Sequence, residues 1–150
     1  MSEAPLPKHL QALPGTALTS GVISIPATEA TMLADALGTA GPSDELHPIY
    51  AYLATQRGIG MTVGEICALA DFDIVDGPML GGAQFDYAAP MHADTAYRVE
   101  GTILDIARKQ GRTAGVFDLL DFEERLVDDE GRIVASARLS FVLPRKESRS

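Results

Sequence analysis

The chain has 150 residues, of which 46% are apolar, and a net charge of −9. Such a length suits one domain with a real hydrophobic core, and such a composition excludes disorder throughout. The negative charge opposes a nucleic-acid backbone, no apolar run spans a bilayer, and the single cysteine, Cys67, excludes both a disulfide framework and a Cys-rich zinc site. No nucleic-acid or membrane partner, no metal and no cofactor is therefore expected. The lone thiol and the absence of a basic, apolar leader point to a cytoplasmic setting.

Residues 1–21 read as an N-terminal arm, because Pro5, Pro7, Pro14 and Gly15 interrupt regular structure. Residues 22–145 read as a single domain, and 146–150 as a polar tail. A first helix is predicted from Pro26 to Leu37, with Ala30, Leu33, Ala34 and Leu37 on its buried face and Gly38 as its stop. A loop with Gly41-Pro42-Ser43 follows. A second helix is predicted from Pro48 to about Gly58, with Ile49, Tyr52 and Leu53 on one face. In the third, Thr62-Val63-Gly64-Glu65 forms a capping box, and Ile66 to Ala70 is apolar on all sides. A helix with no polar face must be enclosed, so Thr62–Asp71 is expected under a sheet.

Strands are predicted at Met79–Tyr87, Ala96–Arg108, Thr113–Val127 and Arg132–Leu143. Turns are expected at Gln110-Gly111 and Asp128-Asp129-Glu130-Gly131. In the last strand Ala135, Ala137, Leu139, Phe141 and Leu143 alternate with Ser136, Arg138 and Ser140, as a half-buried strand requires. The basic groups Arg108-Lys109-Gln110-Gly111-Arg112 and Arg145-Lys146 read as solvated ends. A buried helix followed by a long antiparallel meander is an α+β hotdog plan, a curled sheet around a central helix.

Four segments carry a closer resemblance. They are Ile25 to Leu37, then His47-Pro48-Ile49-Tyr50, then Gly60-Met61. The last is Phe85-Asp86-Tyr87-Ala88-Ala89-Pro90, with Asp94 before Tyr97. In order and spacing they resemble a MaoC-like hydratase/dehydratase domain of the hotdog superfamily. The resemblance implies action on an acyl thioester of coenzyme A or an acyl carrier. That family's signature is Asp-x-Asn-Pro-x-His, whose carboxylate and imidazole hold a water and move protons to and from carbon. Aligned on Pro48, the signature puts Glu45 at the Asp position, His47 at the Asn position and Tyr50 at the His position. A Tyr at the His position resembles the non-catalytic chains of paired hotdog dehydratases, which hold substrate while a partner does chemistry.

Several residues are candidates for chemistry. His47 could act as a displaced general base with Asp44 or Glu45 as its carboxylate, or simply cap a helix. Tyr50 could donate to a thioester carbonyl, or pack. The resemblance implies that N–H groups near Gly60 and Met61, at the start of the central helix, polarise that carbonyl. A hotdog thioesterase would instead use Glu65 or Asp71 to activate water, although the capping box already explains Glu65. His92 is expected to be exposed, and His9 carries no signal. A sheet edge left open predicts a dimer, of identical chains or with a second hotdog subunit. A slot that binds a lipid or aromatic ligand without chemistry is the remaining alternative.

Overall fold

The computed structural model describes residues 2–39, 44–113 and 115–146. In chain order the elements are β1 (Ser2–Glu3), α1 (Lys8–Gln11), β2 (Ala17–Ser24), α2 (Ala27–Ala36), α3 (Tyr50–Gly58) and α4 (Val63–Leu69). A 3₁₀ turn at Ile74–Asp76 precedes β3 (Met79–Tyr87), β4 (Ala96–Gly111), β5 (Gly115–Val127) and β6 (Ile133–Pro144). The Gly41-Pro42-Ser43 stretch and residues 147–150 of the expected tail lie outside the described residues.

The strands form one antiparallel sheet in the order β1-β4-β5-β6-β3, with β2 also on β4. Alternation sets which face of each long strand is buried. In β4, Tyr97, Val99 and Ile103 point inward. In β6, Ala135 to Leu143 do so at every second residue, as the sequence predicts. Register shifts at Leu18/Gly21, Leu80/Gly82, Ile103/Asp105 and Leu126/Val127 interrupt the ladders. Bulges of this kind add twist, and the sheet curls. Asp128 closes the last hairpin by accepting the N–H groups of Glu130 and Arg132.

The helix in the curl is α3, not the Thr62–Asp71 segment. It touches β2, β3, β4, β5 and β6, and its Tyr50, Ala51, Ala54, Thr55 and Gly58 are buried. Small side chains let its backbone approach the sheet. A methyl group on Gly58 would lie 2.5 Å from Val99 Cγ2, and one on Gly21 of β2 would lie 2.0 Å from the Gly58 carbonyl oxygen. Thr55 is buried at no polar cost, because its hydroxyl donates to the Ala51 carbonyl at 2.7 Å. The face expected for this helix was displaced: Ile49 is exposed, while Tyr52 and Leu53 are half-buried. By contrast α4 buries only Ile66 and Cys67, and Val63, Glu65 and Ala68 face outward. A helix of only seven residues buries one side and leaves the other to solvent, so it does not demand enclosure. Cys67 itself is fully buried.

Two further expectations are corrected. The prolines do not leave residues 1–21 irregular. Pro7 starts α1, whose Leu10 is buried, and β2 pairs with β4 from Ala17 onward. The basic groups are not both solvated ends. Arg108 and Arg145 converge on Asp118, which is fully buried on β5, at 2.7 Å each. Helix α2 runs as predicted, stopped by Gly38 at φ +67°, but none of its residues is fully buried. Among the described residues, no helix is long and apolar enough to cross a membrane.

Candidate functional site

The N-terminal end of α3 meets the loop before β4. Leu46 N–H donates to the Met91 carbonyl at 2.7 Å, Ala93 N–H to the Asp44 carbonyl at 2.6 Å, and Glu45 stands opposite His92 in an antiparallel bridge. Buried Leu46, Met91 and Ala93 anchor this pairing. It thereby fixes where the chain enters α3. His92, expected to be exposed, is half-buried. Its Nδ1 lies 3.6 Å from Asp44 Oδ2, too long for a hydrogen bond.

His47 comes next, and its Nδ1 accepts the N–H of Ile49 at 3.0 Å. It therefore closes the turn that leads into α3, one residue ahead of the helix. The ring borders a slot of about 140 Å³ lined also by Pro48, Ile49, Tyr52, Phe85 and Tyr87. Tyr52 meets Phe85 edge to face, with centroids 6.1 Å apart, and the Tyr87 hydroxyl donates to the Pro48 carbonyl at 2.8 Å. A second hollow of about 320 Å³ adjoins it across Pro48 and Tyr87, and Glu45 lines that one. The structure thus brings His47 and Glu45 to neighbouring hollows. Asp44 and Tyr50 line neither.

Tyr50 is buried, and its hydroxyl donates to Glu29 Oε2 of α2 at 2.9 Å. Arg57 holds the same carboxylate at 3.0 Å. Burial, and then the Glu29 carboxylate, push the Tyr50 hydroxyl up to about 12. The Arg57 and Tyr50 hydrogen bonds hold Glu29 below the usual carboxylate range. This clasp ties α2 to α3. No local pattern could have revealed it, because Glu29, Tyr50 and Arg57 belong to two helices joined by a loop.

The remaining candidates are engaged elsewhere. Gly60 and Met61 follow the C-terminal end of α3 rather than opening the central helix. The N–H of Gly60 donates to the Thr19 carbonyl at 2.8 Å, and Met61 Sδ accepts from Thr19. The Gly60 N–H is thus spent on the sheet and cannot polarise a carbonyl. Glu65 completes the capping box with Thr62, both bonds at 3.1 Å. Asp71 pairs with His9 of α1, and both are exposed. One group escaped sequence reasoning: Glu124, on the inner face of β5. It is fully buried, with Oε2 accepting from Gln56 at 3.0 Å and Oε1 unpartnered. Burial pushes its carboxyl up to about 7. Its place in the inward alternation of β5 was the available signal.

No family model and no curated protein matches the sequence. Solved structures do match. The truncated HadBC (3R-hydroxyacyl-ACP dehydratase) complex of Mycobacterium tuberculosis aligns at TM-score 0.66 and 11% identity, covering 89% of this chain and 98% of that one. The ChsH1-ChsH2 complex of the same organism aligns at 0.66 and 13%, covering 95% and 91%. A MaoC-like dehydratase from Rhodospirillum rubrum aligns at 0.52 and 15%, covering 89% and 94%. Thioesterase-superfamily structures share the arrangement as well. The chain has the hotdog fold of the MaoC-like dehydratases.

Proposed function

We propose that this chain is the thioester-holding subunit of a hotdog hydratase or dehydratase, working on a coenzyme A or acyl-carrier thioester beside a second hotdog chain. The observation that carries the reading is Tyr50. It occupies the position of the family's proton-moving His, it is buried, and its hydroxyl is committed to Glu29. A phenol raised to about 12 is a poor base near neutrality. Two similar structures, HadBC and ChsH1-ChsH2, are complexes, which supports a partner here.

The partner's seat follows from β3. All nine of its residues are exposed, only β6 pairs with it, and Met79, Leu80, Phe85 and Tyr87 lie along it. A long apolar edge of this kind is covered in native assemblies. The edge strand of a second hotdog chain, identical or not, fits it. The Phe85 and Tyr87 walls of the slot then lie at the joint.

A panel of enoyl- and saturated acyl-CoAs tests the reading on the purified chain. Saturable binding without a changed product is the expected result. Hydration of the double bond by the chain alone would overturn the holding role. Release of free thiol would select the thioesterase alternative, which the engaged Glu65 and Asp71 do not favour. Failure to bind any thioester would leave a lipid or aromatic binder.

A further inference from the structure

The hydrogen bond at His47 fixes more than the turn into α3. A ring nitrogen that accepts a hydrogen bond carries no proton, so the neutral ring that accepts Ile49 N–H at Nδ1 bears its proton on Nε2. That tautomer is a donor at its outer end and has no lone pair there with which to take a proton from carbon. The backbone amides around it are already used. Tyr50 N–H donates to the His47 carbonyl and Ala51 N–H to the Pro48 carbonyl, both at 3.0 Å. Among the described residues, no group accepts from His47 Nε2.

The space beside this donor is preformed. Tyr87 is fixed by its bond to the Pro48 carbonyl, and Tyr52 and Phe85 brace each other edge to face. The Tyr87 hydroxyl is thereby spent on the backbone, so the slot is mostly ring and aliphatic surface, with His47 and the Tyr52 hydroxyl as the polar groups left among its lining residues. An apolar hollow with a few placed polar groups is how small-molecule sites orient a ligand. At about 140 Å³ it is well below the roughly 300–1,000 Å³ of sites that enclose drug-sized molecules. It has room for one ring or a short branched group, and a long acyl chain would have to leave it across Pro48 and Tyr87.

Resting on the thioester-holding role proposed above, we propose that the Nε2–H of His47 binds the acyl carbonyl oxygen. The Tyr52–Phe85–Tyr87 slot then selects a compact, flat acyl group. His47 so placed polarises the carbonyl without exchanging a proton. The proton transfers belong to the partner.

Calorimetric titration with benzoyl-CoA, dodecanoyl-CoA and free coenzyme A tests this, using the full chain and its His47→Asn and Tyr52→Ala variants. Asparagine retains an oxygen to accept the Ile49 N–H but loses the distant ring donor, so the turn and the carbonyl contact are separated. Benzoyl-CoA is expected to bind more tightly than dodecanoyl-CoA. His47→Asn should weaken it roughly tenfold, the scale of one hydrogen bond, and leave free coenzyme A unchanged. With a ¹³C-labelled carbonyl, the bound thioester's infrared stretch should fall to lower frequency in the parent and not in His47→Asn. Tyr52→Ala should open the slot and narrow the preference over dodecanoyl-CoA. Unchanged affinity and carbonyl stretch in a folded His47→Asn chain would overturn the donor role. Tighter binding of dodecanoyl-CoA by the parent would overturn the slot. Binding of neither thioester above free coenzyme A would overturn the thioester-holding role itself.

Discussion

Glu124 is the residue whose energetics are most exposed to measurement. Its inward neighbours on the sheet, Val99, Ile103, Phe122, Leu126, Ala135 and Leu139, are all apolar, and polar side chains reach it from α3, Gln56 by a bond of 3.0 Å and Thr55 beside it. Burial raises its carboxyl from 4.5 to about 7, so the fold favours the protonated form. The stability that this contributes is fully present below 4.5 and is lost as pH rises through about 7. A shift of that size corresponds to a loss on the order of 3 kcal/mol. Glu124→Gln should flatten the fall in melting temperature between about pH 4.5 and pH 7.5, the window set by the two values. Parallel pH profiles for parent and variant would contradict the assignment. Tyr50→Phe should cost about 1 kcal/mol of stability through the lost bond to Glu29, with little change in thioester affinity. Chemical denaturation and titration read the two quantities separately. Neither partner was legible beforehand. His47 was read as a possible helix cap; its ring accepts from Ile49 N–H in the turn before α3 and not from the helix's first turn.

At the scale of elements, the four long strands β3 to β6 were legible, β2 hid in the expected arm, the expected Gln110-Gly111 turn lies within β4, and the rank of the helices was not legible. The β3 limits, Met79 to Tyr87, coincide with the expected ones, and β6 shows the alternation that its sequence announces. Period-two patterns survive because each strand's faces are decided locally. The central helix hid because Ala51, Ala54, Thr55 and Gly58 are small or polar, and hydrophobicity does not register close backbone approach. Two substitutions test this packing. Gly21→Ala places a methyl against the Gly58 carbonyl and should destabilise the fold by about 1–3 kcal/mol or more, measured by denaturant midpoint. Asp118→Asn strands Arg108 and Arg145 around a neutral side chain and should cost roughly 3–5 kcal/mol. Arg145 also donates to the Ala70 and Asp71 carbonyls, so α4 should loosen with it. Cys67, at the base of that helix, should then react with thiol reagents that leave the parent protein untouched.

For the whole molecule, the sheet encloses α3 and leaves β3 as an exposed edge, the seat of the proposed second hotdog chain. The hotdog architecture was legible from order and spacing. The slot beside His47 was only partly so, because Tyr52, Phe85 and Tyr87 converge through tertiary packing of α3 on β3. The central claim is that this chain holds a thioester without hydrating it. The rate of crotonyl-CoA hydration by the purified chain tests it most directly, measured beside a variant with Glu45→Asp, His47→Asn and Tyr50→His together, which rebuilds the Asp-x-Asn-Pro-x-His pattern. The unmodified chain should stay at the uncatalysed background while the rebuilt one rises above it, by up to the roughly hundredfold or more of a placed acid/base pair. Saturable hydration by the unmodified chain, with no partner present, would contradict the account.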